Sequence, residues 1–330
     1  MCNVQNMFDV LNHDILTDEG ACNNILTQGA VNCNLSVTDN GSESCNIPNS
    51  TSENSNTFQE NAVNSVENID VPNPNDLDPY KVLANFYKIN SKNITFSHLN
   101  INSLTNKFPE LHDIFRNGAC SIIFLSETKI DPSFPNAQFT ITNYCLHRQD
   151  RNIHGGGLLC YVHQMLPHRN RQDIAVNSNG IESIVIHVKV NKHNLFFIGV
   201  YKPPNINNAH LKNAIEDMMN KCYLESEHVY IIGDMNINFM KSQNVLTDTL
   251  TSYDLKQVIK NPTCFKSIQN PTLIDIILTS KPKLMKTINI PLGISDFHNY
   301  IGGAIKIPLP NDERKVITYR SFKKFNDKSY

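Results

Sequence analysis

The chain has 330 residues, 29 Lys and Arg against 31 Asp and Glu, a formal net charge of −2, and nine Cys. That length admits two average domains or one large α/β domain. The cysteines form no CxxC pair and no His/Cys cluster has zinc spacing, so a zinc module is not indicated and reduced, buried thiols are expected.

Residues 1–80 contain 12 acids and no base, which leaves 29 bases and 19 acids, a net +10, for the remainder. A basic body behind an acidic leader is the split expected of a nucleic-acid-binding domain with a tail; a merely solubilising surface is the plainer alternative. The start, MCNVQNMFDVLNHD, has neither a basic nor an apolar signal region. The Asn/Ser-rich stretch that follows is nearly free of aromatics and cannot offset the entropy of ordering its backbone. Residues 1–80 are therefore expected to be a disordered acidic leader, with a short helix conceivable from Met7 to Leu16 and a linker from Pro72 to Pro79.

From about Lys92 short apolar runs recur: ITFSHL, SIIFL, GLLCYV, SIVIHVKV, LFFIGVY, HVYII, LIDIIL and NYIGGAI. SIVIHVKV alternates as a half-buried strand would; the others suit buried strands. None is long enough to span a bilayer, so no membrane partner and an intracellular location are expected. Helical stripes lie between them at Phe108–Leu111–Ile114–Phe115, at Leu211–Ile215–Met218–Met219–Cys222, and at Leu246–Leu250–Tyr253–Val258. Strands interspersed with helices predict one α/β domain over residues 92–308 with more than one sheet, followed by a basic, linker-like tail over 309–330.

The chemistry-bearing residues sit at strand ends. ITFSHL is followed by Asn100 and Asn102, SIIFL by Glu127, LFFIGV by Tyr201, and HVYII by Gly233, Asp234 and Asn236. LIDIIL carries Asp275 inside an apolar strand, and Asp296 and His298 precede the last strand. Singly, most of these read as turn or loop residues. Asp275 is different, because a carboxylate within a buried strand must be paired or hydrogen-bonded. Together they offer hard oxygens suited to Mg²⁺, a His with an acid to orient it, and amides and a phenol for a phosphoryl oxygen. That set is sufficient for metal-assisted phosphodiester hydrolysis.

In order, N-I-N, S-E-T-K, Y-x-P-P-N, G-D-x-N, I-D-x-I-L and S-D-x-H resemble the endonuclease/exonuclease/phosphatase superfamily over roughly residues 92–308. HLNINSLTNKFPEL, RNIHGGGLLCYV, GVYKPPN and the trailing YRSFKKFN are similar to the apurinic-like endonuclease domain of jockey- and CR1-type non-LTR retrotransposons. The resemblance implies a four-layer α/β sandwich, with two packed mixed β-sheets flanked by helices. It implies a Mg²⁺-dependent DNA endonuclease, with Mn²⁺ as a substitute, that leaves a 3′-hydroxyl to prime reverse transcription in the nucleus. Element RNA and a reverse transcriptase are then further partners. No ADD-type polymerase motif precedes Tyr330, so an endonuclease fragment or truncated copy is expected.

Carried over, the resemblance makes Glu127 the main metal ligand, helped by Asn102 and Asp296. Asn100 and Asn236 would contact the scissile phosphate. Asp234 would position or deprotonate water, or protonate the leaving oxygen. Tyr201 would stabilise the transition state or leaving group, and Asp275 would orient His298. Arg148 and Arg151 are candidates for DNA backbone contacts. Two departures stand out. Phe297 separates Asp296 from His298 where the family has Asp-His, which reads as an accommodated insertion. Asn102 stands where the exonuclease III branch often has Asp. A small-molecule phosphatase or phosphodiesterase of the same fold, or a nucleic-acid-binding remnant without activity, remains open at this level.

Overall fold

The structure, a computed structural model, describes residues 78–310. The expected leader up to residue 77, its helix at Met7 to Leu16 and the basic tail from residue 311 lie outside the described residues. The described chain opens with a helix the composition did not announce, α1 (Pro79–Ile89). Asp78 caps it by accepting from the Tyr80 N–H at 2.9 Å, and Pro79 takes a first-turn position where no N–H is needed. Its apolar face, Leu83, Ala84, Phe86 and Tyr87, is buried.

The elements that follow are β1 (Asn93–Asn100), α2 (Phe108–Phe115), β2 (Ile122–Ser126), β3 (Tyr144–Gln149), β4 (Leu158–His163), β5 (His168–Asn170) and β6 (Glu182–Val190). Then come β7 (His193–Tyr201), α3 (Asn208–Tyr223), β8 (Val229–Asp234), α4 (Thr247–Ser252), β9 (Lys256–Gln257), β10 (Asp275–Thr279), β11 (Met285–Ile290) and β12 (Tyr300–Pro308). They build two six-stranded sheets, ordered β11-β12-β1-β2-β4-β3 and β5-β6-β7-β8-β10-β9. Each is mixed, with one parallel pair: β1 with β2 in the first and β7 with β8 in the second.

The sheets pack face to face. Phe96 of β1 meets Phe197 of β7 at 5.2 Å and Tyr230 of β8 at 5.6 Å between ring centres. Truncating one such buried ring to Ala costs about 3–5 kcal/mol. The helix α3 adds Leu211, Ile215 and Met218 to this core, and Leu246, just before α4, joins them. On the outer face of the first sheet, α1 and α2 share a second core with Leu99, Leu125, Leu159 and Tyr300.

Three expectations are corrected. SIVIHVKV is not half-buried: every residue of β6 is buried except Lys189. The third helical stripe stops early, because α4 ends at Ser252, Asp254 turns to a left-handed φ of 46° and Lys256 joins β10 as a strand partner. Gly233 does not make a turn. It lies within β8 opposite Ile276, and a Cβ there would fall 1.8 Å from the Val200 carbonyl oxygen, so only glycine lets β8 lie this close to β7.

Candidate active site

Topology brings the strand ends together. The parallel pairs finish in register, with Asn100 beside Ser126 and Tyr201 beside Asp234. β10 runs antiparallel to β8, so its first residue, Asp275, stands opposite Asp234. β12 runs antiparallel to β1, so the loop carrying Ser295 to Asn299 returns to the same edge. There they surround an open cleft of about 670 Å³ lined in part by Asn100, Asn102, Glu127, Asp234, Asn236 and His298.

The turns at this edge are strained. Asn102, Glu127, Lys129 and Asn236 take φ of 46°, 52°, 52° and 47°. Asn tolerates that region, but Glu and Lys adopt it only where the surroundings impose it. Backbone bonds supply the constraint: Ser103 donates to the Glu127 carbonyl at 2.8 Å, and Lys129 to the Gly156 carbonyl at 2.9 Å. Gly157 permits the close approach, since a Cβ there would meet Thr128 Oγ1 at 2.3 Å. Glu182 anchors that glycine loop, accepting from the Gly157 N–H at 2.7 Å and pairing with Arg151 at 3.1 Å.

One half of the site is buried. Asp275 and Asp234 are almost wholly enclosed. His298 Nδ1 lies 2.8 Å from Asp275 Oδ2, so the histidine reaches the acid and Phe297 turns aside, 44% exposed. Burial opposes charge on His298, but the charge and hydrogen bond of Asp275, with Cys264 and Asp234 behind them, together raise the imidazole to about 11. Burial first, and the Asp275 charge second, raise Asp234 to about 7. Asp234 accepts from Asn100 Nδ2 at 2.9 Å and from the Asn236 N–H at 3.0 Å.

The other half is open. Glu127 Oε1 accepts from the Tyr201 hydroxyl at 2.9 Å and from Asn100 Nδ2 at 3.3 Å. Burial, then the charges of Glu127 and Asp234, push Tyr201 upward, so it stays a phenol and donates. Asn102 Nδ2 donates to Asp296 Oδ2 at 2.7 Å, and Lys107 approaches the same oxygen at 3.2 Å. The Asn102 and Lys107 hydrogen bonds hold Asp296 below the usual carboxylate range. Lys129 Nζ sits between Asn102 Oδ1, at 2.5 Å, and Glu127 Oε2, at 3.6 Å.

Not every expected residue is placed to meet a ligand. Asn100 spends both amide hydrogens on Asp234 and Glu127, and its carbonyl accepts from the Asn102 N–H at 3.1 Å. It therefore orients the two acids and has no donor left for a phosphate. Asn236 donates once to the Lys202 carbonyl, at 2.9 Å, and lines the cleft. Arg148 uses all five guanidinium donors, on Asp150, Asn136 and the carbonyls of Phe134 and Asp131. That fixes a loop and leaves nothing for a DNA backbone. Arg151 is bound to the Gly155 carbonyl and Glu182 and lies 5.8 Å over the Tyr201 ring.

Among the described residues, two groups could hold a cation. Asp234, Asp275 and His298 offer ligand atoms within 4.8 Å of one another. Both carboxylates are enclosed there, and His298 Nδ1 is already committed to Asp275. Glu127 and Asn102 instead present hard oxygens at the cleft, with the exposed Asp296 hydrogen-bonded to Asn102 beside it, the donor type and access that suit a partly hydrated Mg²⁺. The ammonium of Lys129 between two of them shows that these oxygens draw positive charge.

Sequence reasoning missed Lys107, His98, Cys264 and the part played by Lys129. Lys129 stands in the quoted S-E-T-K motif, which was a signal. Cys264 Sγ lies 3.8 Å from His298 Nε2, and only the fold reveals that proximity.

No family model matches the sequence, and no curated protein matches it. Solved structures do. The endonuclease domain of TRAS1, a telomere-specific non-LTR retrotransposon, aligns at a TM-score of 0.51 and 13% identity, over 66% of this chain and 100% of that one. Truncated Caenorhabditis elegans TDP2 aligns at 0.50 and 13%, over 65% and 98%. A 3′–5′ exonuclease from Neisseria meningitidis aligns at 0.50 and 14%, over 64% and 99%. At such identities the likeness is one of fold: the described body has the endonuclease/exonuclease/phosphatase fold, two mixed sheets with helices.

Proposed function

We propose that this chain is a Mg²⁺-dependent DNA endonuclease that hydrolyses one phosphodiester and leaves a 3′-hydroxyl. The observation that carries the reading is Asn100, whose single amide donates to both Asp234 and Glu127. The buried and open halves therefore border one reaction volume. The +10 of residues 81–330 supports a polyanionic substrate, and the likeness to a retrotransposon endonuclease domain supports DNA.

Glu127, Asn102 and Asp296 would hold the Mg²⁺, which when bound polarises a phosphoryl oxygen and offsets developing charge. Tyr201 fixes Glu127 by its hydrogen bond. His298, raised to about 11, carries its proton at neutral pH and is a poor base; its Nε2–H, now 3.8 Å from Cys264 Sγ, would turn from that sulfur to a non-bridging phosphoryl oxygen when substrate binds. Asp234, raised to about 7, is the group poised to take the proton of the attacking water. The new bond joins water oxygen to phosphorus, the bond to the 3′ oxygen breaks, the phosphate stays on the 5′ side, and the expelled 3′ oxygen takes a proton from solvent to become the hydroxyl. Asn236, which lines the cleft and donates once to the Lys202 carbonyl, would bind the phosphate. In a nucleus the 3′-hydroxyl would serve a partner reverse transcriptase as primer, with element RNA as template.

Supercoiled-plasmid nicking tests the reading. Wild type should nick with Mg²⁺ or Mn²⁺ and stop with chelator, and a polymerase should extend the nick directly. Equal nicking by Glu127→Ala would make the activity a contaminant. Turnover of a small phosphoester without action on DNA would transfer the reading to a phosphatase or phosphodiesterase, and Mg²⁺-independent DNA binding without nicking to an inactive remnant.

A further inference from the structure

Behind the cleft four polar side chains run through the interior: His298, Asp275, His98 and Ser126. Asp275 gives Oδ2 to His298, while its own backbone N–H goes to Thr263 Oγ1 at 2.9 Å. Asp275 Oδ1 is buried and has no hydrogen-bond partner. His98, on β1, is wholly enclosed, and its Nδ1 also lacks a hydrogen-bond partner. These two unpartnered atoms face each other at 3.7 Å. His98 Nε2 lies 3.0 Å from Ser126 Oγ, beside Glu127.

The tautomer of His98 decides what this arrangement means. With the proton on Nε2, an imidazole lone pair would face a carboxylate oxygen inside the protein, and both would stay unsatisfied. With the proton on Nδ1, donor faces acceptor across the 3.7 Å to Asp275 Oδ1, and the Ser126 hydroxyl can donate to Nε2. A shift of about 1 Å brings the pair to normal hydrogen-bond length. Burial holds His98 at about 4, so the ring is neutral and carries one proton to place.

We infer that His98 is an Nδ1–H tautomer and a positioning residue, the second donor that fixes the Asp275 carboxylate from the side opposite His298. A carboxylate held at both oxygens cannot turn its Oδ2 away from His298, and the same ring ties Asp275 on β10 to Ser126 on β2. His98 lies too deep to touch a substrate.

Imidazole-tuned ¹H–¹⁵N spectra of the full chain test this without reference to activity. Expected is an exchange-protected His98 proton on Nδ1; a proton on Nε2 overturns the inference. The kinetic arm rests on the nuclease reading and is run only on wild-type protein that nicks. Asn places its amide near Nδ1 and Gln near Nε2, so His98→Asn should retain activity. His98→Gln should lose about 10–100-fold in kcat with KM little changed, the range for removing an outer orienting partner. Equal activity of the two variants, with folding checked by thermal unfolding, overturns the inference. Absent wild-type nicking, by contrast, sinks the nuclease reading and leaves the tautomer result standing.

Discussion

The two halves of the cleft use opposite strategies for their charges. Around Asp275, Asp234 and His298 the side chains are mostly enclosed, burial with the Asp275 charge raises Asp234, and the Asp275 contact raises His298 against burial. Around Glu127, Asn102 and Asp296 the side chains are partly or fully exposed and balanced by Lys107 and Lys129. A buried carboxylate–imidazolium pair carries its own counter-charge. The open oxygens hold theirs on flexible lysines that a divalent ion can displace. Under the proposed function, proton handling would fall to one half and cation binding to the other.

The largest effect should come from separating His298 from its anion. Asp275→Asn is expected to lower kcat about 10³–10⁴-fold, the scale seen when a histidine's orienting acid is neutralised. A loss below tenfold in a nicking assay would mean the buried pair is structural. Next, Glu127→Gln should lose about 100-fold at fixed Mg²⁺ and recover partly as Mg²⁺ is raised; a loss that Mg²⁺ cannot touch would break the comparison from the open side.

Asp234→Asn sharpens it through stability. The folded state raises Asp234 from 3.8 to about 7, so it binds that proton more tightly than the unfolded chain. The stabilisation is present at low pH and lost as pH rises through about 7. The Asn variant should therefore melt above wild type at pH 8, by a margin that shrinks as pH falls from about 7 and closes below the unfolded value of 3.8, with each kcal/mol worth about 2–4 °C. Calorimetry showing the reverse order would mean Asp234 is ionised without cost. The smallest effect is expected at Phe297. It is half exposed and does not touch the dyad's hydrogen bond, so Phe297→Ala should keep kcat within about threefold, the range of a surface change. A collapse of activity would show that the extra residue holds His298 in place.

Much of this site is legible in sequence, for physical reasons. Asp275 stands out because a lone carboxylate in LIDIIL has to find a partner, and it has His298. Strand ends stand out because apolar runs stop abruptly at Asn100, Glu127 and Asp234. Roles that depend on geometry are not legible. Asn100 and Arg148 look like free donors until their hydrogen bonds are counted. His98 hides in ITFSHL as one more buried position. The polar edge strands β3, β9 and β11 and the early stop of α4 depend on partners distant in sequence, which periodicity does not see.

The division of labour is tested most directly by the Mg²⁺ dependence of nicking in two variants. The account predicts that Glu127→Gln raises the Mg²⁺ concentration for half-maximal rate at least about tenfold, whereas Asp275→Asn lowers the maximal rate and leaves that concentration unchanged. The opposite pattern, with Asp275→Asn moving the Mg²⁺ midpoint and Glu127→Gln leaving it alone, would place the cation among Asp234, Asp275 and His298 and contradict the account.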